Sequence, residues 1–362
     1  MAEQPTIAYA EKYSEIIDER FQQVSLTDAA ANNEYDFDGV NSISIRSIAT
    51  VPLNDYDMDA ASNRYGTPQE IGSSLQNMKL TQDKSFTFTI DRRNNTDTMM
   101  THSAGAAMDR EIKEVIVPYV DRYRIAVLAK NAATIRVEDI TPENAYTSFL
   151  TASRELFNKK VPTEGRIAFV SPDYYMCIKL DKNFTKNGDK GLDIAINGAV
   201  GKVDNTAIVV VPTEYLPLGV NFLITHPCAM VAPKKIADYK QHENPQGING
   251  WLVEGRIYFD AFVLKNKRWA IYLSKANTYA ATFTVTTGES TPVQGVEVYA
   301  GGRFASTDES GQAIIQLANG SHHYNVLAEG YEPVTGELTI SGKAASQAVN
   351  LTESEGGAGY EA

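Results

Sequence analysis

Apolar side chains recur every three or four residues between Asp97 and Asn131, which is the spacing of one face of an α-helix. The positions on this face are Ala104, Met108, Ile112, Val115, Ile116, Tyr119, Tyr123 and Val127. Charged residues, including Asp121 and Arg124, fall mostly on the opposite side. Pro118 removes one hydrogen bond of the helical ladder, so we expect a bend or a break there. The pattern predicts a long amphipathic helix that needs a partner along its apolar side.

The N-terminal residues 1–42 show no sustained period. A short helical pattern covers Tyr9 to Phe21, and a polar passage from Thr27 to Asp38 follows it. This passage has too few apolar residues to bury itself. We interpret 1–42 as an extended arm that gains order by lying on another surface, although its composition is equally compatible with a disordered tail.

Residues 43–93 have the pattern of a long hairpin. A strand begins with Ile43 and runs through Val51, and a polar loop spans Asn54 to Ser74. The chain returns through an alternating segment in which Phe86, Phe88 and Ile90 share one face. Because an isolated hairpin is marginally stable in water, this one must fold back on the body or lean on a neighbour.

The pattern of apolar and polar residues over 132–275 predicts a mixed α/β region that includes both helices and strands. Helices are expected to start at Thr141-Pro142-Glu143 and at Ser171-Pro172-Asp173. The expected strands are Arg166–Val170, Thr206–Val211, Phe222–Thr225, Ala229–Ala232, the alternating segment Trp251–Val263, and a last strand Trp269–Leu273. The part of the chain before Lys275 is therefore predicted to be α+β.

After Lys275 the helical period disappears. Six short β-type runs are separated by turns rich in glycine, which predicts a small all-β sandwich over 282–352. Residues 276–281 are predicted to be a linker, and 353–362 a flexible tail. The paired His322 and His323, beside the turn Asn319-Gly320, are expected on a solvated hairpin.

The charge and the apolar content of the chain limit the partners and locations that we expect for it. The net charge is -12, and residues 282–362 contain ten acidic residues against only Arg303 and Lys343. An acidic chain repels phosphate backbones, so it can enclose nucleic acid but should not grip it. Apolar runs such as Ala207–Val211 are too short to span a bilayer, and no charged-then-apolar leader opens the sequence, so neither export nor membrane insertion is expected.

No arrangement of residues predicts catalysis, a metal site or a cofactor site. The five histidines (His102, His226, His242, His322 and His323) lack metal-ligand spacing, and Cys177 and Cys228 are expected to be small core residues. The segment Gly198–Lys202 lacks the spacing of a phosphate loop, and no G-x-S-x-G occurs. Thr307–Gly311 is better explained as a β-turn with an aspartate at its corner than as a calcium loop. The chain is therefore predicted not to be an enzyme.

The order of these units, together with several sequence stretches, resembles the major capsid protein of tailed bacteriophages, the Hong-Kong-97-type fold. The stretches lie within residues 9–275 and are YAEKYSEIIDERF, VPLNDYDMDAASNRYGTP, SFTFTIDRRNNTDTMM, VPYVDRYRIAVLA and GRIYFDAFVLKNKRWAIY. The resemblance implies that 43–93 is the extended loop lying over an adjacent subunit. It further implies a peripheral domain made of the spine helix 94–131 and the return strands 236–275, and an axial domain at 132–235.

The same resemblance implies self-assembly into an icosahedral head shell that encloses double-stranded DNA, with identical subunits in hexamers and pentamers. Expected partners are scaffolding, portal and head-processing proteins, and the expected location is the virion, with assembly in the host cytoplasm. Because Met1 lies only a few residues before the arm, scaffolding is expected to be a separate protein or already removed. Some members of this family join subunits by lysine–asparagine bonds. Lys79 and Lys84 lie near the loop, but exposed lysines are the simpler interpretation.

The segment 282–352 resembles an immunoglobulin-like or carboxypeptidase-regulatory-like module, through VQGVEVY, TDESGQA and AEGY. Such motifs specify fold more than function. By analogy it is expected to be a surface decoration, with a host-surface glycan as its hypothetical ligand. Two alternatives remain open: an encapsulin-type nanocompartment shell, and a cytoplasmic hydrolase with a β-sandwich accessory domain.

Overall fold

The computed structural model describes residues 25–32, 42–48, 50–59, 62–93, 104–182, 199–288 and 291–354. The predicted helix Tyr9–Phe21, His102, Gly198 and most of the predicted tail lie outside these ranges. The described chain divides into two compact units. The first contains Ala31–Val117 and Cys228–Arg268, and the second contains Val24–Ala30, Pro118–Pro227 and Trp269–Ala362.

The elements are numbered here in chain order. Those before residue 182 are β1 (Ala31–Asn32), β2 (Ser42–Ile48), β3 (Ser73–Lys79), β4 (Gln82–Asp91), α1 (Ala104–Glu111), a π-helical segment (Ile112–Ile116), α2 (Val117–Asn131), β5 (Thr134–Val137), α3 (Ala145–Asn158), β6 (Ile167–Val170) and α4 (Pro172–Leu180). After residue 198 follow β7 (Ala199–Val203), β8 (Thr206–Val210), β9 (Val220–Thr225), β10 (Met230–Val231), β11 (Lys234–Glu243), β12 (Gly250–Phe259), β13 (Phe262–Val263) and β14 (Tyr272–Lys275).

The first unit contains the predicted hairpin, but its return strand differs from the expected one. Strand β2 ends at Ile48 and pairs antiparallel with β3, from Ser42 opposite Lys79 to Ile48 opposite Ser73. Strand β4 is a separate element that pairs with β12 in the sheet β11-β12-β4. The half-buried face of Phe86, Phe88 and Ile90 is confirmed, yet it belongs to this sheet and not to the hairpin.

The long helix crosses Pro118 without ending, so the alternative of a break is wrong. The segment before it is π-helical, and the N–H of Val117 donates to the carbonyl of Ile112. A π-helical turn contains one more residue than an α-helical turn, so later residues are shifted by one position relative to an uninterrupted α-helix. The buried residues of α2 are Val120, Asp121, Arg124, Ile125, Leu128 and Ala129. Tyr119, Tyr123 and Val127 are only partly buried, and Val115 is 50% exposed.

The second unit contains a six-stranded mixed sheet in the order β5-β14-β9-β6-β8-β7. Its core packs Phe149, Tyr174 and Tyr272 around Phe222, with ring centroids 5.7, 4.7 and 6.1 Å from that ring. The predicted strands at 166–170, 206–211 and 222–225 are confirmed as β6, β8 and β9. The start of α4 is also confirmed, because the hydroxyl of Ser171 accepts from the N–H of Tyr174.

Two predicted boundaries and one predicted sheet assignment in this region are wrong. Helix α3 begins after Asn144, so Pro142 lies in the preceding turn. Strand β10, expected to continue the main sheet, belongs to the small sheet β1-β10-β13 of the first unit. The last strand begins at Tyr272 rather than Trp269, which lies half exposed in the 3₁₀-helix Lys265–Ala270. This strand, placed among the return strands 236–275, pairs with β5 and β9 of the six-stranded sheet.

The C-terminal part of the second unit is a sandwich of two sheets. Its strands are β15 (Thr278–Thr287), β16 (Glu297–Ala300), β17 (Arg303–Ser306), β18 (Gln312–Ala318), β19 (Gly320–Leu327), β20 (Val334–Ile340) and β21 (Ala345–Leu351). The sheets β18-β15-β21 and β17-β16-β19-β20 enclose an apolar core that includes Phe283, Val298 and Val326, all fully buried. The predicted sandwich is therefore present, and its immunoglobulin-like character stays a prediction.

Two details of the sandwich differ from the sequence-based expectation. The predicted linker 276–281 is wrong because β15 starts at Thr278 and Ala281 is fully buried in the core. Only Ala276 and Asn277 separate β14 from the sandwich. His322 and His323 lie on a hairpin as expected, but it is formed by β19 and β20, and at Asn319 the chain instead passes from one sheet to the other. Strand β17, which is short and follows a double glycine, was missed.

Gly255 provides a test of the packing of the first unit. It is buried in β12, and a Cβ added there would lie 2.2 Å from Cε1 of Phe86. We expect Gly255→Ala to lower the free energy of unfolding by about 1–3 kcal/mol, because the phenyl ring must move. The measurement is chemical denaturation of the unassembled subunit.

Gly72→Ala is the matched control, because a Cβ at Gly72 meets nothing within 4 Å. We expect this change to be neutral or stabilising by up to about 1 kcal/mol. Equal effects of the two substitutions would contradict the packing described for Phe86.

Candidate functional site

Exposed apolar side chains concentrate on the hairpin β2–β3 and its loop. In the described part of this segment they are Ile48, Val51, Leu53, Tyr56, Met58, Tyr65, Ile71 and Leu75. Leu53 is as exposed as in an extended chain, at 101%, and Tyr65 is 83% exposed. Scattered single apolar residues are normal on a surface, but a concentration in one segment marks an interaction site. Tyr56, Met58, Tyr65 and Ile71 lie within the loop predicted to be polar, and they follow no period that predicts an apolar surface.

The loop has local structure of its own. The N–H of Asp57 donates to the carbonyl of Arg64 at 3.0 Å, and the rings of Tyr56 and Tyr65 meet edge to face at 5.0 Å. Gly66 has φ +85°, and a Cβ there would overlap the side chain of Asn54 at 2.4 Å. The exposed side chains are therefore carried on an organised backbone.

The base of the hairpin is anchored within the first unit. The side-chain amide of Gln76 donates to the carbonyl of Val263 and accepts from the N–H of Lys265, both at 3.0 Å. Met78 and Leu80, 1% and 2% exposed, pack with Val231 and Leu264. The hairpin thus has a buried base and an exposed loop.

A second arrangement joins residues 25–28 to helix α2 in the second unit. The carboxylate of Asp121 accepts from the Ser25 hydroxyl at 2.9 Å, the Leu26 N–H at 2.8 Å and the Thr27 hydroxyl at 2.5 Å. Arg124 donates to that Thr27 hydroxyl at 3.0 Å and to the carboxylate of Asp28 at 2.6 Å. We call Asp121 and Arg124 the arm clamp.

The arm clamp corrects two sequence-based predictions. Asp121 and Arg124 were placed on the polar side of the helix, yet they are 1% and 3% exposed. The arm was expected to be unable to bury itself, yet Thr27 and Ala30 are fully buried within their own chain. Burial is tolerated because the Asp121 carboxylate accepts three hydrogen bonds and Arg124 pairs with Asp28. Of the predicted arm 1–42, the structure describes residues 25–32 and 42, and the correction applies to 25–32.

The exposed face of the sheet β11-β12-β4 carries paired charges. Arg256 forms two hydrogen bonds with the carboxylate of Asp83, at 2.9 and 2.6 Å, and these bonds lower the pKa of Asp83. Asp238 pairs with Lys240 at 2.7 Å and raises the pKa of that lysine. Beside these groups lies a depression of about 430 Å³, also lined by Phe86 and Gly255. These four charged side chains on the exposed face are therefore paired with opposite charges.

Three of the histidines considered for metal chemistry each lie beside a carbonyl or carboxylate group. His226 Nε2 lies 3.0 Å from the carbonyl of Glu164, His242 Nε2 lies 3.4 Å from Glu254, and His322 Nε2 lies 2.9 Å from the carbonyl of Ala318. Across the described ranges, no three potential metal ligands cluster. Cys177 and Cys228 are only partly buried, so their placement in the core is wrong, and burial raises the pKa of the Cys177 thiol.

Three further segments have clear positions. Ala199–Val203 forms β7, antiparallel to β8, so Lys202 lies in a strand and not at a helix start. The turn at 307–311 is confirmed, because the carboxylate of Asp308 accepts from the N–H groups of Ser310 and Gln312 at 2.9 Å. Lys79 and Lys84 are both exposed.

Among the helices described, none has the length and apolar composition needed to cross a membrane.

No protein-family model and no curated protein matches the chain. Several solved structures, however, match the chain. The capsid structure of cyanophage P-SCSP1u matches with a TM-score of 0.59 and 12% identity over 74% of this chain and 93% of that one. The mature capsid of bacteriophage PhiM1 gives 0.58 and 10% over 75% and 92%. A structure from Mycobacterium phage Che8 gives 0.57 and 16% over 73% and 96%. The chain has the fold of tailed-phage major capsid proteins, as the resemblance predicted.

The coverage of these matches is asymmetric. The three neighbours are covered almost completely, whereas about a quarter of this chain has no counterpart in them. This chain is therefore the capsid fold with additional residues.

The contribution of the Asp121 carboxylate to stability can be measured by substitution. We expect Asp121→Asn to lower the free energy of unfolding by about 3 kcal/mol, because a buried carboxylate that holds three donors and neighbours Arg124 loses its charge. The measurement is chemical denaturation, with proteolysis within residues 25–28 as a local readout.

Asp109→Asn in α1 is the control. Asp109 pairs with Lys113 at 2.5 Å, but this pair is exposed. Exposed pairs of this kind contribute less than about 0.5 kcal/mol. An equally small effect of Asp121→Asn would show that the clamp does not hold the arm.

Proposed function

We propose that this chain is a major capsid protein whose copies self-assemble into the icosahedral head shell of a tailed phage. The observation that carries the proposal is the exposed apolar surface of the loop between β2 and β3, on a chain with the capsid fold. This loop is anchored at its base and exposed beyond it, which suits a segment that lies over an adjacent copy.

The energetics favour a repeated contact between copies. Full burial of one large apolar side chain contributes about 1.5–3 kcal/mol, and the loop carries several such side chains. Each contact between two copies also has to offset the entropy of association. Closed symmetry repeats the same contact around every copy, so modest contacts add up to a stable shell. The copies would form hexamers and pentamers, with 132–235 as the axial domain, and 94–131 and 236–275 as the peripheral domain.

The enclosed material in this proposal is double-stranded DNA. The net charge of -12 favours enclosure without tight binding, since the phosphate backbone and the chain repel each other. Assembly would take place in the host cytoplasm with scaffolding, portal and head-processing proteins, and the product would be the virion. The shell role requires no catalysis. An encapsulin-type shell would instead contain protein cargo, and a hydrolase would stay a small soluble particle, so electron microscopy of the purified protein separates the three.

Leu53 tests the role of the loop. We expect Leu53→Ser to leave the stability of the unassembled subunit unchanged, because its side chain is fully exposed there. Loss of roughly 1.5 kcal/mol per contact should raise the subunit concentration needed for assembly about tenfold or more. The measurement is the yield of shells by electron microscopy and sedimentation.

Ile314→Ser is the control, because Ile314 is also exposed (57%) but lies on the sandwich. Normal assembly of the control and impaired assembly of Leu53→Ser are expected. Unchanged assembly of both variants would contradict the proposed contact.

We further propose that the sandwich is a surface decoration that binds a neutral host-surface glycan. Tyr299 and Phe304 are cross-strand partners on the outer face of the sheet β17-β16-β19-β20, with ring centroids 5.7 Å apart. Phe304 is 61% exposed, and the Tyr299 hydroxyl donates to the carboxylate of Glu297 at 2.6 Å. Aromatic faces beside hydrogen-bonding groups suit sugar rings. The excess of acidic residues in 282–362 disfavours an acidic ligand.

Retention of the unassembled full chain on an array of neutral glycans tests this ligand. We expect Phe304→Ala to reduce retention at least tenfold and Ile314→Ala to leave it unchanged, because only Phe304 belongs to the aromatic pair. Equal retention of both variants, or no retention of the unaltered chain, would remove the glycan proposal while leaving the shell proposal intact.

A further inference from the structure

The sandwich is attached to the six-stranded sheet by more than its connector. The connector consists of Ala276 and Asn277, and the N–H of Ala276 donates to the carbonyl of Gly219 at 2.7 Å. Gly219 has φ +73°, and a Cβ there would lie 2.8 Å from Cγ2 of Thr278 and 2.9 Å from the carbonyl oxygen of Ala276. The connector is therefore both short and tightly packed, which limits its rotation.

The turn between β16 and β17 makes a second attachment. The guanidinium of Arg303 donates to the carbonyl of Leu216 at 3.1 Å and lies 3.5 Å from that of Thr213. These carbonyls belong to the turn that contains the 3₁₀-helix Thr213–Tyr215. A Cβ on Gly302 would lie 2.8 Å from the hydroxyl of Thr213, so the two turns are in close contact. Burial lowers the pKa of Arg303 and nearby Glu214 opposes this effect, as expected for a cation withdrawn from water.

A third attachment lies where the chain passes between the two sheets of the sandwich. The side-chain amide of Asn319 donates to the carboxylate of Asp139 at 2.8 Å, and its oxygen accepts from the N–H of Gly342 at 2.7 Å. Asp139 follows β5 by two residues, at the edge of the six-stranded sheet. Asn319 thus connects two segments of the sandwich to the body that carries β5.

We infer that the connector, the Arg303 turn and the Asn319 contact form a three-point joint that fixes the orientation of the sandwich on the six-stranded body. A single connector allows a module to swing, and a second contact leaves rotation about one axis. A third contact removes that rotation. The sandwich then moves with the body as one piece, and Arg303 is a positioning residue that directs the adjacent face of Tyr299 and Phe304.

The consequence for a shell rests on the proposed function. In a closed shell, each copy of the joint would present its Tyr299–Phe304 face in the same direction relative to its own body. Weak ligand contacts would then act together on one surface, which is the condition for avidity. A module that swings freely would present this face in many directions, so fewer ligand contacts would act together. The joint itself, however, belongs to a single chain and is testable without assembly.

Distance measurement between two spin labels tests the joint in the unassembled full chain. Labels are placed at Arg154→Cys in α3 and Ser346→Cys in β21, which are both exposed, after Cys177→Ser and Cys228→Ser. We expect one narrow distance distribution in the otherwise unaltered chain. Arg303→Ala combined with Asp139→Ala should broaden this distribution at least twofold, because two of the three attachments are lost. Circular dichroism and the thermal unfolding of the sandwich report whether the module itself stays folded.

Lys130→Ala combined with Glu309→Ala is the matched control. Both side chains are exposed and lie outside the three attachments, and their removal deletes one positive and one negative charge, as the double variant does. Arg303→Lys, which retains a donor, should keep a narrower distribution than Arg303→Ala. A broad distribution in the unaltered chain, or one that stays narrow in the double variant, would overturn the inference. Both outcomes are read on single subunits, so they are distinct from a failure to form shells or to bind a glycan.

Discussion

The buried base of the β2–β3 hairpin holds a loop whose apolar side chains stay exposed. Gln76, Met78 and Leu80 fix the base through two hydrogen bonds and a small apolar core. Beyond it, Leu53 and Tyr65 remain in water at the free-energy cost of exposed apolar surface. A chain that retains such a segment has a use for it outside its own core. In the proposed shell, an adjacent copy would supply the surface for its burial.

The arm clamp shows how two charged residues of helix α2 are buried. Asp121 and Arg124 are buried only because residues 25–28 supply hydrogen bonds to both. Removal of either side would leave a buried charge without its partner, so the arm segment and the helix depend on each other.

The residues after Asn277 form a sandwich with its own apolar core. This core stabilises the fold of the sandwich. The proposed three-point joint fixes the orientation of the sandwich on the six-stranded body. The attachments use few residues, namely a short connector, one guanidinium and one amide, each directed at backbone or carboxylate oxygens. Such contacts are directional, and they define an orientation that apolar burial alone leaves open.

The sequence alone determined much of this architecture, because local periodicity reports local structure. The alternation at Phe86, Phe88 and Ile90, the cap at Ser171 and the change of pattern after Lys275 all correspond to observed elements. The tertiary structure decided what depends on distant residues. No local signal shows that Asp121 meets residues 25–28, that β14 joins the six-stranded sheet, or that Arg303 reaches Leu216. The helix phase after Pro118 was also hidden, because one π-helical turn shifts every later position while the sequence keeps its apparent period. Sequence periodicity records which residues repeat, whereas only the folded chain shows what each of them contacts.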